Sequence, residues 1–285
     1  MLKNVVISNP ERLEKIKREI SRAGAGGLHV LSDFDRTLTK LFVGGKEIPS
    51  LISILRDGNY LTPDYAEKAH ALFNKYHPIE INPNIPPEEK KKTMSEWWLA
   101  HSELLAKSKL NIKDVEQVVN SGKIELREGA LEFFDLLYNA GIPLVIMSSS
   151  GLGTDAISMF LKKQGKLYDN IYIISNTLGW DKVGNFTGVE EPVIHSLNKD
   201  ETIVRQFPVF KKIKNRKNVL LLGDNIEDIG MISGFDYKNL IKIGFLNKDV
   251  SQNLENYSKN FDIVVSNDSE MTYINILLKE LMGLN

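Results

Sequence analysis

Two aspartates, Asp33 and Asp35, stand directly after the apolar run at residues 28–31. In extended chain, residues two apart point the same way, so both carboxylates can reach one site. Two acids side by side at a strand end are electrostatically costly without a cation or a shared proton. A purely structural loop has little use for such a cost, so the pair suggests a function. A second acidic pair lies in Leu222-Gly223-Asp224-Asn225-Ile226-Glu227-Asp228, again straight after an apolar run. Gly223 permits a tight turn, and Asp224 and Asp228 flank the start of the next helical pattern, where either could be a plain cap. Both pairs together, each behind its own strand, suit a hard cation such as Mg²⁺, which takes oxygen ligands and keeps several waters. Asp33, Asp224 and the backbone carbonyl of Asp35 can supply three ligands, with Asp228 holding a coordinated water.

A bound phosphate would also need donors. The segment Met147-Ser148-Ser149-Ser150-Gly151 offers hydroxyls and backbone N–H groups ahead of a helical pattern, which favours an anion, although serines there are often simple caps. Lys199, in His195-Ser196-Leu197-Asn198-Lys199, is one candidate among many lysines for neutralising the phosphate.

These residues need strands that end together. Short runs rich in Val, Ile and Leu recur at residues 28–31, 142–147, 171–174, 219–222, 240–245 and 263–265. Near-continuous apolar runs suit strands covered by helices on both faces. Helical patterns fit between them at 129–140, 154–164, 199–207, 226–233, 250–257 and 270–282. The alternation predicts an α/β fold with a mainly parallel sheet, whose ligands bind at the carboxyl ends of the strands. Residues 42–126 break the pattern. They hold no convincing buried strand, and amphipathic helices are expected at 65–76 and 87–107, separated by the proline-containing stretch 78–87. This reads as a helical cap domain, residues 42–126, inserted after the first core strand, with residues 1–41 and 127–285 forming the catalytic core.

The bulk numbers set outer limits. The chain has 285 residues, 42% hydrophobic and 26% charged, with a formal net charge of −1. That balance gives no global attraction to nucleic acid or to an anionic membrane. The charge clusters at 88–92 and 211–217 are short and read as solvated faces. With no cysteine, disulfides, a thiol nucleophile and a Cys-based zinc site are excluded. No apolar run approaches the roughly 20 residues of a membrane span, and the N-terminal twenty residues lack the apolar stretch of a signal peptide. A cytoplasmic protein is expected, with a monomer favoured.

The four chemical segments, in this order, resemble the haloacid dehalogenase-like phosphohydrolase superfamily. Its pattern is DxDx[TV] after strand one, Ser or Thr after strand two, a downstream Lys and a late GDxxxD. The resemblance implies a Rossmann-like core and a set of roles. Asp33 would be the nucleophile and first metal ligand, and Asp35 the general acid/base. Ser149 (or its neighbour Ser150) and Lys199 would hold the phosphoryl group, while Asp224 and Asp228 complete a Mg²⁺ site. Dehalogenases of the superfamily lack the second acid, so Asp35 argues for phosphate esters.

The expected cap narrows the resemblance. Tyr76-His77-Pro78-Ile79-Glu80-Ile81-Asn82-Pro83, Pro87-Glu88-Glu89-Lys90 and Met94-Ser95-Glu96-Trp97-Trp98 are similar to the eukaryotic cytosolic 5′-nucleotidase III family. So are Ser175-Asn176, Asn198-Lys199 and Leu240-Ile241-Lys242-Ile243-Gly244-Phe245-Leu246-Asn247. The resemblance implies a nucleoside monophosphate substrate whose base is gripped by Glu80 and stacked on Trp98. One branch of that family takes pyrimidine monophosphates and another also accepts 7-methylguanosine monophosphate. A methylated guanine is cationic, and Trp is the best aromatic surface for a cation. Trp97 and Trp98 point about 100° apart on a helix, so one can be core and the other pocket. His101 departs from the family's Ser or Ala and would re-tune the base pocket. The loop Leu41-Phe42-Val43-Gly44-Gly45-Lys46 is expected to form a flap over the site. The nearest rival is a phosphatase for another small ester such as phosphoserine, which has no flat base to stack. A nucleoside phosphotransferase stays open, because it shares the intermediate.

Overall fold

The computed structural model of the chain describes residues 4–48, 50–82 and 84–284. Pro83, the end of the segment that opens with Tyr76, lies outside them. The chain forms β1 (Val5–Ile7), α1 (Pro10–Ala23) and β2 (Leu28–Ser32), then a short hairpin of β3 (Phe42–Val43) and β4 (Lys46–Glu47). Four helices follow: α2 (Leu51–Asp57), α3 (Tyr65–Ile81), α4 (Pro87–Lys107) and α5 (Ile112–Asn120). Next come α6 (Ala130–Asn139), β5 (Leu144–Met147), α7 (Gly153–Lys163), β6 (Ile171–Ile174) and the hairpin of β7 (Leu178–Trp180) and β8 (Phe186–Val189). The one-turn helices α8 (Glu201–Val204) and α9 (Phe210–Ile213) lead into β9 (Asn218–Gly223) and a 3₁₀ helix, Ile226–Ile232. The chain closes with β10 (Asn239–Leu246), α10 (Val250–Asn260), β11 (Ile263–Ser266) and α11 (Thr272–Met282).

Seven strands pair in the order β1-β11-β10-β9-β2-β5-β6. All neighbours are parallel except β1, which lies antiparallel to β11. The six apolar runs are all strands of this sheet, and β2, β5 and β9 are buried along their whole length, as strands covered on both faces must be. β2 lies between β9 and β5, with Ser32 opposite Leu222 of β9 on one side and Ile146 of β5 on the other. The three acidic and serine segments therefore leave the same edge of the sheet, side by side.

Several local expectations are corrected. β1 and α1 lie outside the elements expected from the sequence. α1 carries its own signals, an Asn9 cap on Arg12 and Pro10 in its first turn, but β1 has only three residues. Pro78 does not end α3, which runs on to Ile81. Its ring removes only the bond to the Asn74 carbonyl, and Asn74 is exposed, so water can take that bond. The helix expected from residue 199 begins only at Glu201, capped by the Asp200 side chain, which leaves Lys199 in the preceding loop. The segment 226–233 is a 3₁₀ rather than an α-helix.

Residues 42–126 contain helices and one small, mostly exposed hairpin. The chain enters and leaves this insertion at one place: Thr39 bridges Leu126, and Arg127 N donates to Leu38 O at 2.9 Å. Its apolar side chains do not form a separate core. Leu51, Ile54, Leu105, Val115 and Val118 belong to the same buried cluster as Val30, Phe34 and Leu144 of the sheet layer. The β7–β8 hairpin also docks on the insertion, with Ile112 N donating to Gly184 O at 2.9 Å and Phe186 N to Leu110 O at 2.9 Å. No described helix is long and apolar enough to cross a membrane.

Candidate active site

Asp33 follows β2 and is anchored by its own N–H, which donates to Leu222 O of β9 at 3.0 Å. Lys199 Nζ donates to Asp33 Oδ1 at 2.8 Å and to Asp228 Oδ1 at 2.7 Å. All three side chains are buried. The loop bearing Lys199 is fixed by Asn176, which exchanges two hydrogen bonds with the Ile194 backbone at 2.8 and 2.9 Å. Asp228 also ties down the turn after β9, its Oδ2 accepting from the N–H groups of Asp224 and Asn225 at 3.2 and 3.0 Å. Asp228 thus caps this turn with one oxygen and faces Lys199 with the other. Gly223 is needed for this packing, since a Cβ there would stand 2.5 Å from the Asp228 Cβ.

Carboxylate oxygens of Asp33, Asp224 and Asp228 lie within 4.8 Å of one another. The Asp35 carboxylate is not in that cluster, so a contribution from Asp35 to a metal would fall to its backbone carbonyl. Burial raises the Asp33 pKa against the pull of Lys199, and burial likewise raises Asp224 against the pull of Arg36. Burial alone would lower Lys199, but Asp228 and Asp33 outweigh it and hold the ammonium charged. Three converging carboxylates face one lysine and Arg36, whose Nε stands 3.0 Å from Asp224 Oδ2. A hard, oxygen-loving dication fits this donor set and would remove the cost of gathering the acids.

Asp35 differs from its neighbours. Its Oδ1 is buried without a hydrogen-bond partner. Burial, then the Asp33 charge, pushes its carboxyl up to about 7, against the opposing charges of Arg36 and Lys199 and the Leu51 backbone N–H. Near pH 7 it is therefore close to half protonated and can both give and take a proton.

The three serines separate by their bonds. Ser148 Oγ accepts from Ser150 N at 3.2 Å, and Ser150 Oγ accepts from Leu152 N at 3.3 Å, so both hydroxyls shape the turn into α7. Ser149 has no side-chain bond among the described residues. Gly151 lets the insertion close over this turn, because a Cβ there would meet Ile52 of α2 at 2.6 Å.

Of the three expected base-site residues, Glu80 reaches the core. Its Oε1 accepts from Ser196 Oγ at 2.6 Å, three residues before Lys199, and His77 Nδ1 stands 3.2 Å from its Oε2. Trp98 and His101 lie together instead, their rings stacked 6.0 Å apart, and His101 continues onto Tyr65 at 6.4 Å. Trp97 forms a second stack, on Tyr76 at 5.8 Å. Sequence reasoning missed Arg36, Ser196 and Arg127. Ser196 and Arg36 carried a signal, each lying inside a segment already singled out, whereas Arg127 did not.

The model of the pyrimidine 5′-nucleotidase family (UMPH-1) matches residues 36–282. The chain belongs to this family. It is 34% identical over 283 residues to the 7-methylguanosine phosphate-specific 5′-nucleotidase of Mus musculus, covering 99% of this chain and 94% of that one. The crystal structure of cytosolic 5′-nucleotidase IIIB bound to cytidine superposes with a TM-score of 0.89 at 29% identity, over 100% of this chain and 95% of that chain. Apo phosphoserine phosphatase shares the fold at a TM-score of 0.52 and 21% identity, over 87% of this chain and 96% of that chain. Like other members of the pyrimidine 5′-nucleotidase family, the chain is a phosphoric monoester hydrolase built on the haloacid dehalogenase-like fold.

Proposed function

We propose that the protein hydrolyses nucleoside 5′-monophosphates, with Asp33 as nucleophile. The observation that carries this reading is Lys199 bridging Asp33 and Asp228 at the strand ends in a 5′-nucleotidase family member. An Asp33 carboxylate oxygen attacks phosphorus, forming an aspartyl phosphate as the bond to the 5′ oxygen breaks. The departing oxygen takes the proton held by Asp35. Asp35, now ionised, deprotonates the water that attacks the aspartyl phosphate, and Asp33 returns with inorganic phosphate released. The Lys199 ammonium and the free Ser149 hydroxyl hold the phosphoryl oxygens; Ser150 serves the turn. Mg²⁺, held by Asp33, Asp224 and the Asp35 carbonyl with Asp228 behind them, would neutralise charge on those oxygens.

In the same reading residues 42–126 form the cap over a core of 1–41 and 127–285, closed by the Glu80–Ser196 bond. Glu80 accepts from the exocyclic amine of the base, and Trp98 offers one ring face to it; His101 backs the other face. The substrates would be pyrimidine monophosphates, 7-methylguanosine monophosphate or both, in line with the names of the relatives above. An amino-acid ester such as phosphoserine would leave Trp98 unused. The enzyme would act as a cytoplasmic monomer, which sedimentation at micromolar concentration tests. The main test is release of inorganic phosphate from CMP, UMP, 7-methyl-GMP and phosphoserine, with and without Mg²⁺. Metal-dependent release from nucleotides alone is expected; equal, slow release from all four would sink the nucleotidase reading.

A further inference from the structure

Arg127 is the largest of the fully buried side chains, and its guanidinium is wholly committed. Nε donates to Thr37 O at 3.0 Å, and Nη2 to Arg36 O at 2.6 Å, to Thr39 O at 3.3 Å and to Asn247 Oδ1 at 3.0 Å. Nη1 donates to Ser269 O at 2.7 Å and pairs with Asp268 Oδ1 at 3.1 Å. The Phe245 ring lies 4.4 Å from Cζ. Three of these acceptors are carbonyls of four consecutive residues, the turn that follows Asp35 directly. That turn holds Arg36 at φ +62°, a left-handed conformation that a non-glycine residue adopts only when its surroundings hold it there. Asn247 Nδ2 adds a second donor to Arg36 O at 2.9 Å. Asp268 extends the grip, its two oxygens accepting from Leu41 N and Phe42 N at 2.9 Å each. The chain is thus held from Arg36 to the foot of the β3–β4 hairpin.

We propose that Arg127 is a positioning residue for the catalytic acid: its guanidinium clamps the turn at residues 36–39 and thereby fixes where the Asp35 carboxyl stands. The proposal rests on the reading of Asp35 as general acid. Asp33 has independent anchors, the Leu222 carbonyl and Lys199, so loosening the clamp falls on Asp35 first. The geometry also explains the residue type. A planar fork with five donors can serve four carbonyls, an amide and a carboxylate at once, with one N–H group shared between acceptors, whereas a lysine has three donors on one point.

The test separates acid catalysis from mere folding by the leaving group. A nucleoside departs as a basic alkoxide and needs a proton; nitrophenolate departs without one. First-turnover release of leaving group, with enzyme in excess, reads that step alone. For Arg127→Lys, release of nucleoside from CMP or 7-methyl-GMP should slow by roughly 100-fold, the scale of general acid catalysis, while release of nitrophenol from para-nitrophenyl phosphate slows far less. Asp35→Asn should show the same selectivity, and Asp268→Asn a weaker version of it. An equal slowing on both substrates, or none on either, in Arg127→Lys overturns the clamp. Should Arg127→Lys fail to fold, Asp268→Asn decides on the same criterion. If Asp35→Asn itself shows no selectivity, the general-acid reading fails and the clamp falls with it. Selective Asp35→Asn beside unselective clamp variants rejects the clamp alone.

Discussion

The acidic site and the aromatic region of the insertion are built on opposite terms. At the strand ends the charged groups are tightly paired, Asp35 apart: Lys199 has two carboxylates, Asp228 has one ammonium and two backbone N–H groups, and Asp224 has Arg36. In the insertion the half-buried rings of Trp97 and Trp98 make face-to-face contacts, on Tyr76 and His101 respectively. Buried charges tolerate almost no rearrangement, because a partner lost leaves an uncompensated ion. Stacked rings hold by area and by a broad range of offsets. Phosphoryl transfer needs one geometry, whereas base recognition needs a flat surface and one or two polar edges. One fold can therefore keep its chemistry rigid while its choice of base drifts.

The sharpest way to break this contrast is to change one residue on each side. Asp33→Asn keeps shape and removes the attacking carboxylate, so kcat should fall roughly 10⁴-fold or more, as when other nucleophiles are deleted. Circular dichroism should show the fold intact. Substantial phosphate release by this variant would remove Asp33 from its role. Trp98→Ala should leave the chemistry standing. Losing one stacking surface costs about 1–3 kcal/mol per base, so KM for nucleotides should rise roughly 10- to 100-fold, with para-nitrophenyl phosphate cleaved as before. If instead Trp97→Ala gives that signature and Trp98→Ala does not, the base lies on the Tyr76 stack, beside His77 and Glu80.

The same contrast explains what was legible beforehand. The six core strands are near-continuous apolar runs, and the acids stand immediately behind two of them, so sheet, site edge and chemistry could be read together. Spacing could not separate Ser149 from Ser150, because the difference lies in which hydroxyl the α7 turn consumes. β1 and the β7–β8 hairpin are three or four residues long, too short for a period to show. Arg127 left no trace at all: its partners are mostly backbone carbonyls, which every residue has. In the aromatic region the sequence supplied a row of rings on two helices, but their pairing depends on how α3 packs on α4.

The smallest effect concerns two histidines, one on the strand that leads to Asp33 and one in the aromatic row. His29 of β2 and His101 of α4 are both pushed down to about 4, chiefly by burial. In the unfolded chain each takes a proton as pH falls through about 6.5, but in the fold only near 4. Between those values the unfolded state binds more protons, so stability is full above the higher value and is lost as pH falls toward the lower one. The raised carboxyls of Asp33, Asp35 and Asp224 act in the opposite sense, so the difference between variant and parent isolates the histidines. His29→Leu and His101→Phe should each flatten the loss of Tm between pH 6.5 and 4. At neutral pH they should diverge. Both His29 nitrogens are buried without partners, so leucine removes an unpaired polar group and Tm should rise. His101 Nε2 lies 3.2 Å from the Tyr65 hydroxyl, so phenylalanine strands that hydroxyl, and Tm should fall by the equivalent of about 1–3 kcal/mol. A neutral-pH rise in both variants would mean that the Tyr65–His101 bond adds nothing, and that the aromatic row of the insertion holds by stacking alone.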